Sequence, residues 1–237
     1  MATQVYKTLA KIVGAALLII GVALVAGGLY AHSFVRQQLA DQMITMPAEQ
    51  AIDAQLQSGR IAEEDAEALR PHAGEMMTTG PQAEAFADHY IRAHMRAGAQ
   101  AAGVPDEQAS YSGIGALVTE KTNAFKEELG ADPANANLSP DEITALAEQE
   151  IANPATDYPA AQEIAELQDL RMGTFLDGNT LRGLLLNAYG WWLVGAIAQV
   201  AGGVLIVVGI GLLILGFTLK PKTAPGEPTG GSPVRAS

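Results

Sequence analysis

The chain contains no cysteine. That excludes disulfides, iron–sulfur clusters, zinc–thiolate sites and thiol nucleophiles. Basic residues are scarce, with 14 Lys+Arg against 26 Asp+Glu and a formal net charge of −12. Such a balance argues against nucleic acid as a partner, because phosphate neutralisation needs a basic footprint. Aromatic residues make up only 5% and histidines number four. No stretch alternates polar and apolar residues over a strand length, so no sheet is expected. What the chain does have is apolar residue, 49% of the total and unevenly spread. Two uncharged runs concentrate it, Ile12 to Ala31 and Gly183 to Leu219.

A bilayer core of about 30 Å takes roughly 20 apolar residues as a helix. Residues 12–31 have that length, and a helix in a globular core seldom stays uncharged for so long. A cleaved signal peptide is the competing reading. Lys7 and Lys11 supply an n-region for it, and Ala26-Gly27-Gly28 the small residues of a cleavage site. Its apolar core is usually about 7–15 residues, shorter than this run, which favours an uncleaved anchor. The second run exceeds one membrane thickness. Tyr189, Trp191 and Trp192 fit the headgroup level. They divide the run into an interfacial segment, 183–192, and a span, 193–219, closed by Lys220 and Lys222.

Charge sets the expected orientation. Lys7 and Lys11 make the N-terminal segment 1–11 basic, and the C-terminal tail carries Lys220, Lys222 and Arg235 against Glu227. The other nine basic residues and 25 acids lie in 32–182, a net of −16. Short basic tails stay in the cytoplasm. The expected localisation is therefore a cell membrane crossed twice, with both termini cytoplasmic. The fold class is all-α: two transmembrane helices flanking an extracytoplasmic helical domain and stalk, 32–182. The tail 220–237, rich in Pro, Gly, Ser and Thr, reads as disordered.

Glycine recurs every seventh residue in both runs: Gly14, Gly21 and Gly28 in the first, Gly195, Gly202, Gly209 and Gly216 in the second. Seven residues are close to two helical turns, so each set forms a stripe. Small residues let helix backbones approach in lipid. The stripes point to an antiparallel pair within one chain, or to a homo-oligomer or partner subunit. Leu17, Leu24, Ala198, Leu205 and Leu212 fall at the companion seam positions. Outside the runs the same seam is expected through Val35, Leu39 and Met43 or Met46, and through Ala188, Leu184 and Leu181.

The segment between the runs reads as helices and turns. Candidates are Pro47 to Leu56, Ile61 to Arg70 with an acidic exposed side (Glu63, Glu64, Asp65, Glu67), and a helix opened by Thr79-Gly80-Pro81. Others are Gly115 to Leu129, one capped by Ser139-Pro140-Asp141-Glu142, and one begun at Pro159. Asp88 and Arg92 stand four apart, as for a helical ion pair. Asp177-Gly178-Asn179-Thr180 reads as a break before the final helix, with Asn179 or Thr180 as its cap.

No local spacing carries chemistry, so neither catalytic, cofactor-binding nor metal-ligating residues, nor any cofactor, are expected. His89 and His94 lie five apart, about 140° around a helix, which suits one metal ion poorly. His94 reads as a packed core residue and His89 as a surface one. The acids at 63–67 lack a calcium-loop spacing. Ser112-Gly113-Ile114-Gly115 reads as a flexible turn rather than a phosphate cradle. Gln199 in the second run suits an interhelical hydrogen bond.

Two stretches carry a family resemblance. Leu69-Arg70-Pro71-His72-Ala73-Gly74 with residues 78–91 is one, and residues 180–192 (TLRGLLLNAYGWW) are the other. With Val35-Arg36-Gln37-Gln38-Leu39, they resemble a family of actinobacterial membrane proteins with two spans around an exported helical loop. Residues 120–150 look like an insertion. Members are often labelled aromatic ring-opening dioxygenases, but non-haem iron needs a set such as two His and one carboxylate, and no local spacing offers one. The expected function is a non-catalytic interaction or scaffold module of the cell envelope, with the bilayer and an envelope protein or a second copy as partners. An envelope enzyme with an unrecognised site, or an accessory subunit of a sensor or transporter, are the alternatives.

Overall fold

The computed structural model describes residues 2–219. The Lys220 and Lys222 flank and the tail 220–237 lie outside the described residues. The described chain is helical, and no strand forms among its residues; Thr45 and Met76 make an isolated antiparallel bridge. The helices are α1 (Ala2–Asp41), α2 (Glu49–Gln57), α3 (Glu63–Leu69), α4 (Gly80–Ala85), α5 (Arg92–Ala101), α6 (Tyr111–Ala131), α7 (Pro140–Ala152), α8 (Pro159–Asp169) and α9 (Asp177–Thr218). Two π turns interrupt this order, Phe86–Ile91 between α4 and α5, and Leu170–Leu176 between α8 and α9.

The described residues pack as two compact units: a helix pair, residues 2–31 with 194–219, and a helical domain, residues 32–193. Helices α1 and α9 contribute residues to both. Both are long and apolar enough to cross a membrane.

The helical domain is built on three side-chain clusters. The first gathers Val35, Leu39, Met46, Ile52, Leu69, Met77 and Leu185. The second joins α5, α6, α8 and the second π turn through Met95, Ile114, Leu167 and Phe175. In the third, Phe125, Leu129, Ile143 and Ile164 bind α6, α7 and α8 into a small bundle. Local signals start the helices. Thr79 Oγ1 accepts from the Gln82 N–H while Gln82 Oε1 accepts from the Thr79 N–H, with Pro81 in the first turn. Ser139 and Glu142 form the same reciprocal cap on α7. Glycine at positive φ follows α5, where Gly103 (φ 68) lets the Val104 N–H reach the Ala99 carbonyl.

The structure departs from the sequence pattern at several points. No break occurs at Asp177–Thr180, since α8 passes through the second π turn directly into α9. Thr180 Oγ1 bonds back to the Leu176 carbonyl instead of capping, and Gly178 lies against the Met95 side chain. Packing overrides the turn propensity of Asp-Gly-Asn at this point. Ser112 to Gly115 is the first turn of α6, capped by Ser110, rather than a flexible turn. Asp88 pairs with Arg182, not Arg92, because the wider π turn moves Arg92 off the line of Asp88. Asp65 is buried rather than on an exposed acidic face, and His89 is hydrogen-bonded to it. His94 is half-buried, with Nδ1 2.7 Å from the Tyr90 carbonyl oxygen. Of the seam expected outside the runs, Val35, Leu39 and Met46 are buried and Met43 is exposed beyond the end of α1, whereas on α9 Leu185 is buried in place of Leu181 and Leu184, which are exposed. Here α9 packs on the domain core and not only on α1, which turns its buried face.

Candidate functional site: a glycine-lined helix pair and the polar clusters of the helical domain

The glycine stripes face each other. A Cβ on Gly14 would stand 2.8 Å from the Gly209 carbonyl oxygen, and one on Gly21 2.7 Å from that of Gly202. A Cβ on Gly28 would stand 2.5 Å from the Gly195 oxygen. Gly216 continues the register, against the Lys7 carbonyl and the Lys11 side chain. The register is constant and antiparallel, each contact lying seven residues on along α1 and seven back along α9. All seven glycines are buried. Backbone therefore meets backbone, an approach that any side chain would prevent. Gly27, Gly203 and Gly211, off the stripe, have open space where a Cβ would go. Leu24 and Leu17 flank the seam beside Gly202 and Gly209, and Gln199 lies over Gly28. The outward faces are apolar, with Ile19, Ile197, Val200 and Val207 each about 70% exposed. Lys11 Nζ sits 4.0 Å from the centroid of the Phe217 ring.

The three aromatic residues part company. Trp191 is 56% exposed. Trp192 is half-buried, stacked on His32 with ring centroids 4.0 Å apart, and Gly80 leaves room for its ring. Tyr189 is half-buried. Beside Trp191 a cavity of about 560 Å³ is lined mostly by apolar side chains, among them Phe34, Leu39, Leu181, Leu184 and Phe86. Its polar lining comes from the amides of Gln38, Gln42 and Asn187, with no charged residue.

A few charged groups of the helical domain are paired. Asp65, 1% exposed, accepts from the Ala62 N–H at 3.1 Å and lies 3.0 Å from His89 Nδ1. Arg182 holds Asp88 at 2.6 Å and donates to the Ala87 carbonyl. Arg70 bridges Asp53 and Glu63, each at 3.2 Å, and these hydrogen bonds raise its pKa above the ordinary value. Glu142 is held below the usual carboxylate range, first by the Ser139 backbone N–H and then by the Ser139 hydroxyl. Among the described residues, no three His, Asp or Glu side chains converge as a metal would require.

Sequence reasoning missed the Asp65–His89 and Asp88–Arg182 pairs. Their members lie 24 and 94 residues apart, beyond any local pattern. No protein-family model, curated protein or solved structure matches the chain.

Proposed function

We propose that the chain is an integral membrane protein of the cell envelope whose α1 and α9 cross the bilayer as an antiparallel pair. Residues 12–31 and 193–219 are the spans, 183–192 is interfacial, both termini are cytoplasmic, and 32–182 is exported. The observation that carries this reading is the buried glycine seam combined with fully apolar outward faces. In water such faces would be costly, at about 25 cal/mol per Å² of exposed apolar surface. In lipid they cost nothing, and close backbone contact supplies the association that hydrophobicity cannot. Lys7 and Lys11 at one end and the −16 of segment 32–182 at the other favour the orientation.

The exported domain acts as a non-catalytic interaction or scaffold module for an envelope component. The uncharged cavity beside Trp191, with its exposed Leu181 and Leu184, supports that role, because exposed apolar patches mark interaction surfaces. The resemblance to two-span actinobacterial membrane proteins agrees with the topology. An envelope enzyme is the second reading, favoured by one observation, a buried Asp65 orienting the His89 imidazole as carboxylates do for catalytic bases.

Absence of native cysteine makes the topology directly testable. A Ser58→Cys chain should react with a membrane-impermeant maleimide in intact cells, and a Ser232→Cys chain only after lysis. The reverse pattern contradicts the orientation. Crosslinking in cells followed by affinity capture should return one recurrent envelope partner. A chain that remains partnerless contradicts the scaffold role.

A further inference from the structure

The helical domain contains a cavity of about 440 Å³ with three arginines in its wall, Arg92, Arg96 and Arg182. Segment 32–182 has nine basic residues in all, within a net charge of −16. A third of them thus line one cavity, against the overall sign of the domain. Arg182 is committed to Asp88. Arg92 and Arg96 form no ion pair with any described residue, and Asp106 is the one acid lining the cavity.

Backbone geometry points to the same place. Arg92 directly follows the first π turn, while Phe175 lies in the second and Asn179 and Arg182 follow it. π turns are rare and occur frequently at functional sites. The two here deliver residues to a single cavity. Ser110, the N-cap of α6, also lines it, so the positive end of that helix dipole adds to the arginines.

We infer that this cavity binds the phosphate group of a small phosphate ester. Two guanidinium groups without an ion pair match a phosphate dianion, and their Nη–H groups are the donors suited to its oxygens. Arg96 and the Asn179 amide bring further donors, more than the two oxygens of a carboxylate would absorb. Met95 and Phe175 supply an apolar wall for the organic part of the ester. The site is formed wholly by residues 92–182 and does not depend on the membrane reading.

The test is titration of the full-length protein in neutral detergent with phenyl phosphate, with short-chain phosphatidic acid in a second arm. Saturable binding at one site per chain is expected, weakened by added salt, with neutral benzyl alcohol failing to compete. Arg92→Gln and Arg96→Gln should each weaken binding by at least about tenfold, as expected for loss of a charge-assisted pair. Arg96 is exposed, so its variant keeps the fold even where Arg92→Gln does not. Arg36→Gln, outside the cavity, should bind as the unaltered chain does. Preference for phosphatidic acid over phenyl phosphate assigns the phosphate to a lipid headgroup, and the opposite preference to a soluble ester. Absence of binding at millimolar concentration of either probe overturns the inference. So does an equal loss in Arg36→Gln, which would reveal only general charge attraction.

Discussion

The helix pair and the helical domain solve the packing problem in opposite ways. In the helix pair the interior is backbone: seven glycines remove side chains from the seam, and the large residues point outward. In the helical domain the interior is side chain, with Phe125, Ile52, Leu69, Met77 and Ile164 nearly or fully buried, and Asp65 is the one acidic or basic side chain fully buried among them. The difference follows from the solvent each unit suits. Water drives large apolar groups inward, whereas lipid is as apolar as leucine and rewards close fit. A glycine is thus the most sensitive residue in one unit, and a large hydrophobe or a buried charge in the other.

The strongest way to break this comparison is to add a side chain at the seam. Gly202→Leu should abolish contact between the two helices, because even its Cβ would lie 2.6 Å from the Gly21 carbonyl oxygen. Gly203→Leu, one residue on but facing open space, should leave it unchanged. Crosslinking between the helices in membranes reads both, and equal yields would remove the seam from the account.

In the helical domain the large effect comes from removal. Asp65→Ala leaves His89 and the Ala62 N–H without their acceptor, and should cost about 3 kcal/mol of domain stability. Asp65→Asn, which retains an acceptor for the Ala62 N–H, should cost less. Denaturant unfolding of the purified protein measures both, and Asn as costly as Ala would mean that the charge matters more than the cap.

A smaller effect has the opposite sign. Met43 adopts φ 50, the left-handed region, and its side chain is 77% exposed. Met43→Gly relieves the strain without losing packing, and should stabilise by about 1 kcal/mol. An unchanged or lower melting temperature would contradict it.

The smallest effect is pH-dependent. Glu142 has a lowered pKa in the folded state, so its capping contribution is fully present above the ordinary carboxylate value and is lost as pH falls through the folded value. Glu142→Gln should flatten the acid limb of the stability curve slightly, and an identical limb in both proteins would assign no weight to the cap.

The two units also differ in how much of them the sequence reveals. The seam is legible because a seven-residue period on a helix leaves one geometric outcome, a stripe, and the register then follows from pairing the stripes. Caps such as Thr79–Gln82 and Ser139–Glu142 are legible for the same local reason. Asp177–Thr180 misleads because Gly178 serves close packing against Met95 rather than a turn. The Asp88–Arg92 spacing misleads because it assumes 3.6 residues per turn across a π turn. The arginine cavity draws on α5, the start of α6 and α9, and no local pattern joins residues 92, 106 and 182.

The antiparallel pairing of α1 and α9 within one chain is the central claim, and the most direct measurement is a disulfide formed across it in native membranes. A Cβ on Gly216 would stand 2.8 Å from Lys11 Cγ, close to where a cysteine sulfur at position 11 would sit. With no other thiol in the chain, Lys11→Cys combined with Gly216→Cys should oxidise to an intrachain bridge at monomer mass. Lys11→Cys combined with Gly203→Cys should not. Dimer-mass product alone, or equal bridging in both, would contradict the account.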